Sequence, residues 1–185
     1  MSEARDRAVA LLHKYTKSFS DIPLASGQEV MRLQAESRTG GPAVTLIDVR
    51  DAAEQLVSML PGAITAADFE ADPQRFRDSV CIPYCTIGYR SGMYCRRLLS
   101  GALSISPAAV LNGEGVVLWS HDVGLFSGGA KQLHCYGREW DVAASGFTTI
   151  TYSPKEQVAA IPTFLREWLT YTFTWLRVLL RRCFA

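Results

Sequence analysis

No stretch of about 20 apolar residues occurs in this 185-residue chain, so a helix that crosses a bilayer is not expected. Internal repeats and low-complexity segments are also missing, which sets aside solenoids, propellers and unstructured tracts. Charge of one sign is not in excess: 19 Lys and Arg face 18 Asp and Glu, for a net charge of +1. Such a balance gives no general attraction to nucleic acid, and none is expected as a partner. Cysteines are few and unpatterned. The five (Cys81, Cys85, Cys95, Cys135, Cys183) form no Cys-x-x-Cys pair and no Cys/His zinc spacing, so no metal site is expected. An odd count suits a reducing compartment better than a disulfide scaffold, and a cytoplasmic location follows as the expectation. Glu3 and Asp6 among the first seven residues argue against a secretory signal at the start of the sequence.

What the chain does contain is core-forming material: 48% hydrophobic and 20% charged residues, enough for one domain with an added element at its ends. Ala8, Leu11, Leu12, Tyr15 and Phe19 recur at helical spacing, predicting a helix over 3–19. Ser26 and Glu29 have the form of a capping box opening a second helix. Apolar runs near 44–48, 63–65, 80–84, 109–111 and 148–152 read as strands, and helical stretches alternate with them. The run at 44–48 does not alternate with polar residues, as suits a strand buried on both faces. The order predicts an α/β fold, with a mainly parallel central sheet flanked by helices and ligands at the carboxyl ends of strands. Pro83 fits poorly in a central strand, since it withholds a ladder donor.

The most informative stretch is Cys85-Thr86-Ile87-Gly88-Tyr89-Arg90-Ser91, between the strand at 80–84 and a helix carrying Met93, Tyr94, Cys95, Leu98 and Leu99. A cysteine at a strand end, followed by a short loop into a helix N-terminus, is placed to become a stabilised anion. Free N–H groups of the first turn and the positive end of the helix dipole both favour negative charge there. Gly88 permits backbone conformations in which successive N–H groups converge. Arg90 adds a planar cationic fork suited to an oxyanion or a carboxylate.

The loop resembles the active-site loop of the rhodanese-like sulfurtransferases, Cys-x-x-Gly-x-Arg-Ser after a strand. Three further blocks carry the resemblance in the same order. They are Leu46-Ile47-Asp48-Val49-Arg50 with Glu54, Pro61-Gly62-Ala63-Ile64, and Asn112-Gly113-Glu114-Gly115-Val116-Val117-Leu118-Trp119. The resemblance covers roughly residues 25 to 152 and implies a rhodanese-like fold. The resemblance implies Cys85 as nucleophile, carrying sulfur as a persulfide, and Arg90 as its catalytic partner. It further implies substrate contacts from Thr86, Ile87, Gly88, Tyr89, Ser91 and Arg50, with Arg50 near the pocket mouth and Asp48 holding loops together. The activity implied is transfer of sulfane sulfur from thiosulfate or a persulfide to a thiol or cyanide, without a cofactor. Four residues separate Cys85 from Arg90; related phosphatases and arsenate reductases carry one more, making that reading the weaker one. A non-catalytic or regulatory module, acting through oligomer or membrane assembly, is the rival from another class.

Two departures matter. Met59-Leu60 stands where Gly-His is usual, and Thr86 and Ile87 add no charge to the loop, leaving Arg90 as its one cation. Cys81, Cys95 and Trp119 read as core, and His121 and His134 as exposed or loop residues.

The organisation expected is an N-terminal helix at 1–22, a rhodanese-like domain at 23–153 and an amphipathic, aromatic-rich helix at 154–185. In that last segment Trp168 and Trp175 lie on an apolar stripe, and only nine residues separate Glu167 from Arg177. It is expected to pack on a second copy, giving a homo-oligomer through the terminal helices, or to lie peripherally in a membrane interface. The other partners expected are a small sulfur donor and a thiol acceptor.

Overall fold

The computed structural model describes residues 2–157. Ser2 caps the first helix, α1 (Glu3–Thr16), its hydroxyl accepting from the Arg5 N–H, and a short 3₁₀ turn carries the chain to Phe19. After a two-residue strand β1 (Leu24–Ala25) comes α2 (Gly27–Arg38). Ser26 does cap it, accepting from the Glu29 N–H at 3.2 Å, but the reciprocal half of the expected box is not made. The Glu29 carboxylate turns instead to Arg32, one turn along the helix.

The central sheet follows: β2 (Val44–Asp48), a short α3 (Ala52–Val57), β3 (Ile64–Thr65), α4 (Ala66–Ala71) and β4 (Val80–Tyr84). Next are α5 (Tyr89–Leu99), β5 (Ala109–Val110), β6 (Asn112–Gly113) and α6 (Val116–Asp122). The four strands stand in the order β3-β2-β4-β5 and all pair in parallel, with β2 and β4 in register over five residues, Val44 opposite Val80 to Asp48 opposite Tyr84. Parallel pairing needs a crossover between strands, and the helices provide it. The molecule is thus an α/β protein with a parallel sheet flanked by helices. β6 leaves that sheet to pair with β1. The strand expected at 148–152 is shorter, β8 (Thr148–Ile150), and it does not join the central sheet. It pairs with β7 (Gln132–His134) in a separate two-stranded ladder.

Both faces of the sheet are covered, as the unalternating apolar runs require. Leu46, Ile82 and Tyr84 face one core with Val30, Val117 and Trp119. Their strand neighbours Ile47 and Cys81 face the other, with Phe69, Met93, Cys95 and Leu98. Leu99, expected on the same buried side as Leu98, is 60% exposed, because its position has turned past the apolar face of α5. Pro83 costs no ladder bond. Val80 donates to Ala43 O and Tyr84 O accepts from the Val49 N–H, so the even-numbered residues of β4 face β2. Pro83 faces the other side with Cys81, and the β5 ladder ends at Val110, opposite Cys81.

The expected N-terminal helix is packed into the body, with α1 lying against α5 and α6 and burying Ala8, Leu12 and Thr16. Among the described residues, no helix is long and apolar enough to cross a membrane. From residue 158 on, the expected aromatic-rich helix, with Trp168, Trp175 and Cys183, lies outside the described residues.

Candidate active site

Cys85 follows the last residue of β4, at the carboxyl end of the strand between β2 and β5. Two neighbours hold its side chain. The Gly88 N–H donates to Sγ at 3.1 Å, and Ser91 Oγ lies 3.5 Å from Sγ. Gly88 is the N-cap of α5 with φ +90°, a left-handed conformation in which a side chain would be strained. Its carbonyl accepts from Asn112 Nδ2 at 2.9 Å, pinning the turn from behind. The opposite wall of the loop is α6, whose Val116 and Val117 N–H groups donate to Cys85 O at 2.9 Å and Thr86 O at 3.3 Å. The free donors of a helix N-terminus are here spent on the loop's own carbonyls.

Cys85 is buried and lines a cavity of about 480 Å³ together with Thr86, Ile87, Tyr89 and Arg90 of the loop and with Tyr15, Tyr136 and Trp140. Thr86, Ile87, Tyr89 and Arg90 are thus brought together with Cys85, and Ser91 reaches the sulfur. Arg50 is not near the mouth. Its side chain is fully buried, doubly hydrogen-bonded to Asp48 and donating to Ser58 O at 2.5 Å. The reason is local: Asp48, two residues back, also accepts from the Arg50 N–H and from Tyr84 Oη at 2.7 Å, and this network fixes the end of β2. Asp48 holds loops together as expected, and it takes Arg50 with it.

Arg90 is engaged as well. Its NH1 and NH2 donate to Glu54 Oε2 at 2.6 Å and Oε1 at 2.8 Å, a bidentate pair whose carboxylate is fully buried. Thr86 Oγ1 bridges the two, donating to Glu54 and accepting from Arg90 NH2, both at 3.1 Å. Asp51 adds a second carboxylate 3.7 Å from Arg90 NH1. Burial opposes ionisation of Glu54 more than any other single influence. The charge and fork of Arg90, with Arg50 and the Asp51 N–H, together outweigh it and hold the carboxyl below its ordinary range. At half-buried Asp51 burial wins, and the pKa is raised despite Arg90.

Three lining residues, Tyr15, Tyr136 and Trp140, come from segments that the sequence did not connect to the loop. Tyr15 on α1 stands edge-on to Trp140 at 5.6 Å and to Tyr89 at 6.4 Å, and Tyr136 is 5.2 Å from Trp140. His134, expected to be exposed, is 3% exposed. Its Nδ1 accepts the Tyr136 N–H at 3.0 Å and lies 4.0 Å from Glu54. His121 is half-buried and bonded to Val142 O. Cys81, Cys95 and Trp119 are buried in the core as expected. Burial pushes the thiol of Cys81 up to about 11 and that of Cys135 up to about 12, which makes them poor nucleophiles.

His134 carries a pH prediction. Burial lowers its pKa, helped by Arg50 and Arg90 and opposed by Glu54. A histidine with a depressed pKa is neutral in the fold and must take up a proton on unfolding. Its contribution is therefore complete above the unfolded value of about 6.5 and is lost as pH falls from there through the folded value. Thermal midpoints measured from pH 7.5 to 5 should fall on acidification, and His134→Gln should flatten that slope.

No family model and no curated protein matches the chain. Solved structures give a weak likeness. One is a thiosulfate sulfurtransferase from Pseudomonas aeruginosa, 19% identical, covering 68% of this chain and 23% of that one, with a TM-score of 0.48. This chain thus spans less than a quarter of that protein's length. Another is a protein of unknown function from Rhodopseudomonas palustris, described as a possible tyrosine phosphatase (18% identical, 63% and 90% covered, TM-score 0.41). A third is a Bacillus halodurans protein (18% identical, 80% and 95% covered, TM-score 0.44).

Proposed function

We propose that the chain is a sulfurtransferase of the rhodanese-like kind, moving sulfane sulfur through a persulfide on Cys85. The observation that carries this reading is the setting of Cys85: at the carboxyl end of a central parallel strand, its Sγ on the Gly88 N–H at 3.1 Å, and in the lining of a cavity. In the first step the Cys85 thiolate attacks the outer sulfur of the donor. The donor S–S bond breaks and its electron pair leaves with the remainder (sulfite, when the donor is thiosulfate), while a new S–S bond forms on Cys85. In the second step an acceptor thiolate or cyanide attacks the outer sulfur of that persulfide, and Cys85 recovers the pair. Neither step is a net redox change, and ping-pong kinetics follow. The Gly88 N–H, already aimed at Sγ, is a preorganised donor for negative charge on sulfur. Arg90, held by Glu54, acts through the shape of the loop and through the field it adds beside Sγ.

The test is a single-turnover mix of the full chain with a sulfane donor, followed by intact mass, beside Cys85→Ser. The expected result is a gain of one sulfur atom that requires Cys85 and is removed by cyanide. Loading from neither thiosulfate nor a thiol persulfide would overturn the reading in favour of a non-catalytic module.

A further inference from the structure

We infer that the donor this site selects is an organic persulfide with an apolar body, not a doubly charged donor such as thiosulfate; this rests on the sulfurtransferase reading. Two independent features lead there. The first is charge. Among the described residues lining the cavity, Arg90 is the one basic side chain, and its NH1 and NH2 both go to the buried Glu54. Asp51 stands 3.7 Å from the same NH1, and the Tyr136 ring covers the guanidinium with its centroid 5.4 Å away. Arg90 is thus outnumbered by two carboxylates. A doubly charged donor would give up its hydration for a site with no surplus positive charge, which is costly.

The second is shape. A volume of about 480 Å³ far exceeds what a four-oxygen-sized anion needs, and cavities above about 300 Å³ are the size that accepts organic ligands. Tyr15, Tyr89, Tyr136 and Trp140 form a continuous aromatic wall of the cavity that Cys85 also lines. One member of that wall is held in an unfavourable conformation. Tyr136 has φ +63°, and its backbone is fixed there by its N–H on His134 Nδ1 and by its carbonyl accepting from the Tyr152 N–H at 2.9 Å. Strain of this kind persists only where the surroundings enforce it, and it places an aromatic ring against the cavity. An aryl or alkyl group is the complement of such a wall. The step balances as R–S–SH plus Cys85 thiolate giving Cys85–S–SH plus R–S⁻. One S–S bond breaks, one forms, and the leaving thiolate carries away the pair.

The experiment compares single-turnover loading of the full chain by benzyl persulfide, carboxymethyl persulfide and thiosulfate, each corrected for its reaction with a free small thiol. The expected result is benzyl over carboxymethyl by about tenfold or more, the scale of discrimination an apolar pocket gives. Trp140→Ala should collapse that ratio and Trp140→Phe should restore it. A variant merely damaged in folding would slow both donors and leave the ratio intact. Tyr15→Leu gives a second reading of the same wall should Trp140→Ala not fold. Equal loading by the two persulfides, or faster loading by carboxymethyl persulfide or thiosulfate, would overturn the inference while the Cys85 chemistry stood. Loading by none of the three would remove both.

Discussion

Glu54→Ala should destabilise the fold by about 3–5 kcal/mol, more than loss of an exposed acidic residue could. The cost comes mostly from what is left behind. Arg90 keeps its charge and 8% of its side-chain exposure, while Thr86 Oγ1 and the Asp51 N–H lose their acceptor. Asp51, 3.7 Å away and a third exposed, compensates only in part. Two controls separate the pair's net value from the penalty of breaking it. Glu54→Gln retains shape and some hydrogen bonding, so it should fall between wild type and Glu54→Ala. The double change Glu54→Leu with Arg90→Met removes both charges and should recover most of the loss, since apolar replacements of buried pairs are often near neutral. The pH dependence has a definite sign. The folded pKa of Glu54 is depressed, so its contribution is complete above the ordinary glutamate value of about 4.3 and is lost as pH falls through the lower folded value. Denaturant midpoints between pH 6 and 3 should show that loss in wild type and not in the double variant. Had Glu54→Ala cost less than about 1 kcal/mol, the carboxylate would not be the anchor of the loop.

The sequence makes the frame of this site legible and leaves its walls unread. β2 and β4 stand out because both of their faces are buried, so apolar residues do not alternate strictly with polar ones, and the cysteine loop is fixed by its place between β4 and an amphipathic helix. The partner of Arg90 does not stand out. Glu54 lies 36 residues earlier, and nothing in spacing says which of the nearby acids Arg90 will meet. Arg50 misleads for the converse reason: a partner two residues away captures it before it can reach the cavity. The aromatic wall is hidden more deeply. Tyr15 belongs to an apolar helical stripe, where it is indistinguishable from core. Tyr136 and Trp140 follow β7, whose three residues Gln132, Leu133 and His134 offer one apolar side chain and no alternation to detect. The same short pattern hides the burial of His134 and leaves β8 without its true partner.

Gly115→Ala should be the other severe substitution, and it probes the loop from the side of α6. Gly115 has φ +96° and ψ +169°, a region that is essentially glycine's alone. A Cβ built there would lie 2.5 Å from Thr86 O and 2.7 Å from Cys85 O, both backbone atoms that no rotamer change can move. Strain and overlap each cost about 1–3 kcal/mol, so a combined loss of about 3 kcal/mol or more is expected. For a domain of this size that is a fall of about 6–12 °C in the thermal midpoint. Gly88→Ala is the informative contrast. Its φ of +90° and ψ of −7° lie in the left-handed region, which costs a side chain less than the glycine-only region of Gly115, and its Cβ would meet Thr16 Cγ2 at 2.7 Å and Leu12 Cδ1 at 2.9 Å, side-chain ends on α1 that can shift. Gly88→Ala should therefore cost less stability than Gly115→Ala. If the two cost the same, the backbone overlap at Gly115 relaxes and α6 is not the rigid support of the cysteine loop. If Gly115→Ala costs more and also slows sulfur loading, the loop's position depends on the Val116 and Val117 N–H groups that reach Cys85 O and Thr86 O. In that case a close approach of two backbones, and not any side chain, keeps Cys85 in the lining of the cavity.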